Sequence, residues 1–187
     1  MKNNAMFVLI SLALWLAIFI YWVIRSRDRG ILNEIAGLLK LFLSGFILHI
    51  PAFFGIHLLS YSTPLPAMIA GLFLLFSGFV FCTAAREYLA HNWSGKVALQ
   101  ENHKLINSGP YKIVRHPVYS GVLAMMAGTG IIIGNAFGFL WILFCFCGLF
   151  RKSRQEEELL EKEFGEAYGQ YKKETKMIIP CVLGVFR

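Results

Sequence analysis

Charge is scarce in this chain: Asp, Glu, Lys and Arg make up 16% of 187 residues, while 57% are hydrophobic. That balance excludes an ordinary soluble domain and fits an integral membrane protein. The length allows one domain. Also missing are a P-loop, a G-x-G-x-x-G following a strand, and an H-E-x-x-H pair, which removes the common phosphate, dinucleotide and zinc-hydrolase chemistries. Cysteine is sparse, and Cys82, Cys145, Cys147 and Cys181 sit in or beside apolar runs. Cys145 and Cys147 are too close for usual zinc spacing and lie on different helix faces, so all four read as packing residues. The histidines are scattered, and no metal set is expected. A formal net charge of +7 would suit nucleic acid, but the placement of the basic residues points elsewhere.

Long apolar runs fill most of the chain. A spanning helix needs about 20 apolar residues. Ala5 to Ile24 carries no charge and runs straight into Arg25, Arg27 and Arg29, without the flanks of a cleaved signal peptide, so it reads as a retained span. A second span is expected from Ile35 to His57, interrupted by Lys40, His49 and Pro51; Lys40 and His49 must face protein or water rather than lipid. A third runs from Leu65 to Ala85 after the turn Ser62-Thr63-Pro64-Leu65-Pro66. Val118 to Gly134 and Ala136 to Phe150 form a hairpin of two short segments joined at Gly134-Asn135.

The expected fold is therefore an all-α integral membrane protein with about five transmembrane helices, including this C-terminal hairpin. An amphipathic, cytoplasmic C-terminal helix follows. Leu160, Phe164, Tyr168 and Tyr171 share one stripe of it, Gly165 marks a break, and Lys172, Lys173 and Lys176 suit the headgroup surface. Nearly every Lys and Arg falls in the 25–29 loop, the 86–117 loop or the tail after Phe150. Five spans put all three on one side; the positive-inside rule makes that side cytoplasmic and the N-terminus external. The organisation is a single membrane domain, 1–187, with two N-terminal spans in 1–57 and a functional core in 86–187.

Within that core, residues 109–121 (G-P-Y-K-I-V-R-H-P-V-Y-S-G) concentrate Arg115, His116, Tyr111 and Tyr119. Pro117 pushes His116 out of helical geometry and opens the fourth span, whose first turn offers N–H groups to an anionic or dipolar ligand. The plainer reading is a snorkelling Arg among interfacial aromatics. Glu156-Glu157-Glu158 follows Arg151, Lys152 and Arg154; taken alone it reads as solvated salt bridges. The topology, however, returns it to the level of Arg115-His116, where carboxylates and cations together suit a zwitterion. His91-Asn92-Trp93-Ser94 extends the third span, and the loop at His103-Lys104 leads to Gly109.

Together, H-K-L-I-N-S-G-P-Y-K-I-V-R-H-P-V-Y-S-G, the apolar hairpin, and E-E-E-L-L-E-K-E-F-G-E-A-Y-G-Q-Y resemble the isoprenylcysteine carboxyl methyltransferase family, which is grouped with the phospholipid N-methyltransferases. The resemblance covers about residues 86–181. It implies S-adenosyl-L-methionine as methyl donor, bound without a Rossmann fold. On it, His116, Tyr119 and Glu157 or its neighbour Glu156 contact the cofactor, while Leu105, Gly109 and Tyr111 frame its adenosine; Arg115, a cation able to hold a carboxylate, is expected to bind the cofactor with them. Lys152 stands where carboxylate-methylating relatives carry Arg, with Arg151 and Arg154 beside it, and these three are the expected holders of the acceptor carboxylate.

The expected partners are a lipophilic or prenylated substrate and membrane lipid, with no nucleic acid. The expected reaction is carboxyl O-methylation of an isoprenylcysteine-type acceptor. Alternatives are N- or O-methylation of a phospholipid amine or a phenolic or enolic lipid, and, outside enzymes, a membrane scaffold or small transporter.

Overall fold

The computed structural model describes residues 2–26, 43–50, 54, 60–89 and 105–180. Lys40, Pro51, His57, the 91–94 segment, His103, Lys104 and Cys181 lie outside the described residues, as does most of the expected second span.

The helices with both bounds among the described residues are α1 (Lys2–Ser26), α2 (Leu65–Leu89), α3 (Pro117–Ile133), α4 (Ala136–Phe164) and α5 (Glu166–Glu174); residues 43–47 are helical as well. A 3₁₀ turn at Gly109–Lys112 precedes α3. Ala5–Ile24 of α1, α2 and α4 are each long and apolar enough to cross a membrane. At 17 residues α3 is shorter, about 25 Å at 1.5 Å per residue.

The core is the antiparallel pair α2–α3, by far the most extensive helix contact. Small residues permit it. A Cβ on Gly78 would sit 2.6 Å from the Gly121 carbonyl oxygen, and one on Gly121 would sit 2.8 Å from both the Gly78 carbonyl and Cys82 Cβ. Lipid tails supply no hydrophobic drive between spans, so close backbone approach of this kind is what holds them. Cys82 packs in this core as expected, whereas Cys147 is exposed on α4.

A buried polar cluster ties α1 to the pair. Trp15 Nε1 donates to Thr129 Oγ1 at 3.0 Å, Ser11 Oγ lies 2.7 Å from His49 Nε2, and His49 Nδ1 lies 3.1 Å from the Gly45 carbonyl. His49 is fully buried and faces protein, as its place in an apolar run required. Near the other end of α1, Tyr21 donates to Glu87. The C-terminal ends of α1 and α2 and the N-terminal end of α3 therefore gather at one end of the bundle.

The hairpin turns where expected. Gly134 caps α3 in the left-handed region (φ 66°), a conformation only glycine adopts cheaply, and the Asn135 side chain accepts from Phe137 N to start α4. The expected division of the following chain into a short span and a separate surface helix is corrected: α4 continues unbroken from the apolar 136–150 stretch into the charged 151–164 stretch. The composition change at Arg151 marks where charge begins, and the helix hydrogen-bond ladder runs through it. The break falls instead at Gly165 (φ 50°), as read from the sequence.

Candidate active site

Pro117 opens α3 and leaves His116 as its cap with extended φ (−120°). The residues before it pair with the segment that follows Glu174. Arg115 N donates to Lys176 O at 2.8 Å and His116 N to Met177 O at 2.9 Å, around a parallel bridge between Val114 and Lys176. Ser120 Oγ donates to Ile178 O, and Tyr171 Oη donates to Tyr111 O at 2.6 Å. This backbone strap, formed with residues 171–178, fixes the orientation of the His116 ring and brings the charged half of α4 against it.

The two sequence motifs meet there. His116 Nδ1 is 3.3 Å from Glu156 Oε2, and His116 Nε2 is 3.4 Å from Glu157 Oε1. The Nε2 contact is out of line for a hydrogen bond, and that atom has no hydrogen-bond partner. Tyr119 Oη donates to Glu156 Oε1 at 2.6 Å, and its ring stacks on His116 at 5.5 Å with 3° between planes.

Glu157 is buried (3% side-chain exposure) and bonded by Arg115 Nε at 2.6 Å. Arg115 NH1 donates to the carbonyls of Lys172 and Thr175. Lys172 Nζ stands 3.7 Å from Glu157 Oε2 and 2.6 Å from Glu161 Oε1. Glu156 keeps 22% side-chain exposure, with Lys152 Nζ 3.8 Å away.

Of the residues expected at the site, then, Arg115, His116, Tyr119, Lys152, Glu156 and Glu157 come together. Lys152 also lies 5.6 Å over the Tyr119 ring. Arg151 and Arg154 are exposed, and Arg154 rests over the Phe150 ring. Leu105 is half-buried and Tyr111 buried, its carbonyl spent on Tyr171. Gly109 adopts φ 58° with the Tyr88 ring where a Cβ would stand. Two members were not anticipated. Lys172, a headgroup cation by its sequence setting, stands against Glu157 in the structure, and Tyr168, an apolar-stripe residue by its spacing, is buried. The strap left no sequence signal, because backbone-to-backbone pairing has no side-chain period.

Electrostatically, burial alone would depress the His116 pKa, but the Glu156 and Glu157 carboxylates outweigh it and hold the imidazole above its ordinary value. Burial alone would raise Glu157; His116 and Arg115 win and hold it at about 2. His116 therefore stabilises the fold fully below its unfolded value of 6.5 and loses that contribution as pH rises through the raised folded value. The ligand-free protein should lose thermal stability as pH rises above about 6.5. His116→Gln should flatten that slope in a thermal-unfolding series. An unchanged slope would place the titration elsewhere; Glu156, Glu157 and Tyr119 are the groups against the ring.

Helices long and apolar enough to cross a membrane, with an ionic cluster gathered at one end, define a membrane-embedded protein. The chain belongs to the phospholipid methyltransferase family, whose model matches residues 66–167. It is 33% identical over 90 residues to protein-S-isoprenylcysteine O-methyltransferase B of Arabidopsis thaliana, covering 46% of this chain and 45% of that one. To the protein-S-isoprenylcysteine O-methyltransferase of Homo sapiens it is 30% identical over 120 residues, covering 63% and 42%. These matches thus span less than half the length of those relatives. Its fold is that of a solved eukaryotic intramembrane Ras methyltransferase, ICMT, with a TM-score of 0.71 at 20% identity over 97% of this chain and 68% of that one.

Proposed function

We propose that the chain transfers a methyl group from S-adenosyl-L-methionine to a lipophilic acceptor at the membrane, and that the acceptor is the carboxylate of an isoprenylcysteine-type group. One observation carries this reading: in a member of a methyltransferase family, residues about 40 positions apart in the sequence converge with His116 Nδ1 3.3 Å from Glu156. The site suits the zwitterionic donor. Part-exposed Glu156 offers a carboxylate for its ammonium, and His116 Nε2, which makes no hydrogen bond though it lies 3.4 Å from Glu157, offers a buried donor for its oxygens. Glu157, already bonded to Arg115, acts as the anchor that holds His116 in place. Tyr119 orients Glu156, and Leu105, Gly109 and Tyr111 border the adenosine.

When bound, the cofactor supplies a methyl group on a positively charged sulfur, a leaving group that needs no acid. The residues of this chain therefore bind, orient and exclude water rather than move protons. His116 Nδ1 already faces Glu156, and an acceptor that is already anionic needs no general base. Lys152 is the cation placed to pair with it, while Arg151 and Arg154, both exposed, add attraction at longer range. The gathering of Lys and Arg in the loops supports a cytoplasmic site with the N-terminus outside.

The test is methyl transfer from labelled donor to an S-farnesylcysteine derivative. Base-labile ester label supports the proposal, and absence of label from every lipid offered overturns it. Lys in place of the family's Arg favours one second reading, a phospholipid amine acceptor, and label on phosphatidylethanolamine would select it. Lys152→Ala should raise KM for the carboxylate acceptor about tenfold and leave affinity for S-adenosylhomocysteine unchanged, with Lys152→Arg restoring KM. A KM insensitive to Lys152 would remove it from the acceptor site.

A further inference from the structure

Tyr168, on α5, is 1% exposed, and its hydroxyl has no hydrogen-bond partner. Its ring is fixed edge-on against Tyr171 at 5.9 Å and 67°. Burial, and after it the charge of Glu157, keeps the phenol protonated far above its usual range, so it is a donor. A buried donor left unpaired costs free energy, and most proteins avoid one unless a ligand or water completes it. A second donor without a hydrogen bond, His116 Nε2, lies 3.4 Å from Glu157, the carboxylate whose charge also acts on Tyr168. Its neighbour Tyr171 shows the contrast: that hydroxyl is already satisfied, at 2.6 Å from Tyr111 O.

We infer that Tyr168 is a further cofactor-binding residue, its hydroxyl donating to an oxygen acceptor of the bound methyl donor beside Glu157. This rests on the functional reading above. It adds α5 to the walls of the site and gives the helix break at Gly165 a purpose, since the turn there lets α5 fold back over the charged end of α4.

The experiment compares Tyr168→Phe with the parent, as full-length protein in detergent, by calorimetric titration with S-adenosylhomocysteine and by thermal unfolding without ligand. Losing a hydroxyl that has no partner in the ligand-free state should leave the melting temperature unchanged or slightly higher, while affinity falls about tenfold. Tyr171→Phe, losing a made bond, should instead lower the melting temperature with little change in affinity. An unchanged affinity in Tyr168→Phe overturns the inference. So does a lower ligand-free melting temperature, whatever the affinity, because it would show the hydroxyl already partnered within the fold. If the parent itself fails to bind, the functional reading falls, and this inference with it.

Discussion

Arg115→Ala should destabilise the protein by about 3–5 kcal/mol, the cost of leaving one partner of a buried ion pair alone. Its guanidinium has 2% side-chain exposure and bonds Glu157 at 2.6 Å. The same side chain satisfies the carbonyls of Lys172 and Thr175 at the end of α5. Removing it therefore uncovers a buried carboxylate and loosens the strap that fixes His116. Arg115→Lys should recover only a minority of the loss, because an ammonium cannot direct bonds both to Glu157 and to two carbonyls from one planar group. Adding Glu157→Gln to Arg115→Ala should restore part of the stability by neutralising the orphaned charge. A denaturant titration giving a loss below about 1 kcal/mol would mean that the pair behaves as a solvated surface contact.

Glu156→Gln should act on binding rather than on folding. Glu156 is part-exposed, and a glutamine oxygen can still accept from Tyr119, so the ligand-free protein should melt near the parent temperature. What disappears is the negative charge opposite the donor's ammonium. A hydrogen bond to a charged group contributes about 1.5–3 kcal/mol, so affinity for S-adenosylhomocysteine should fall roughly ten- to a hundredfold. Glu157→Gln should show the opposite balance, with stability lost first because Arg115 is left without its counter-charge. Were Glu156→Gln to bind normally while Glu157→Gln folded normally and did not bind, the roles of anchor and ligand contact would be exchanged.

Much of this arrangement is legible in the sequence, for identifiable reasons. The bounds of the first and third spans follow from runs long enough to cross a bilayer, and the structure starts α2 at Leu65 as the Pro-rich turn indicates. Pro117 fixes His116 as a helix cap, and Gly134 and Gly165 mark turns because both take a positive φ. The convergence of the two motifs follows from hairpin topology. What the sequence hides is interaction at a distance. Arg115 reads as a ligand cation because nothing local shows that Glu157 and the carbonyls of the C-terminal strap will claim it. The continuity of α4 is hidden by the switch from apolar to charged residues at Arg151, which changes the medium the helix meets but not its hydrogen bonding. Lys172 reads as a headgroup cation for the same reason: its partner lies on another helix.

The account stands or falls on whether the R-H-P-V-Y and E-E motifs form one ligand site. A double-mutant cycle on S-adenosylhomocysteine affinity, with His116→Gln, Glu156→Gln and both together, measures that directly. If the imidazole and the carboxylate hold one ligand between them, the two losses should be coupled by about 1 kcal/mol or more. Losses that simply add, or a parent protein with no measurable affinity, would contradict it.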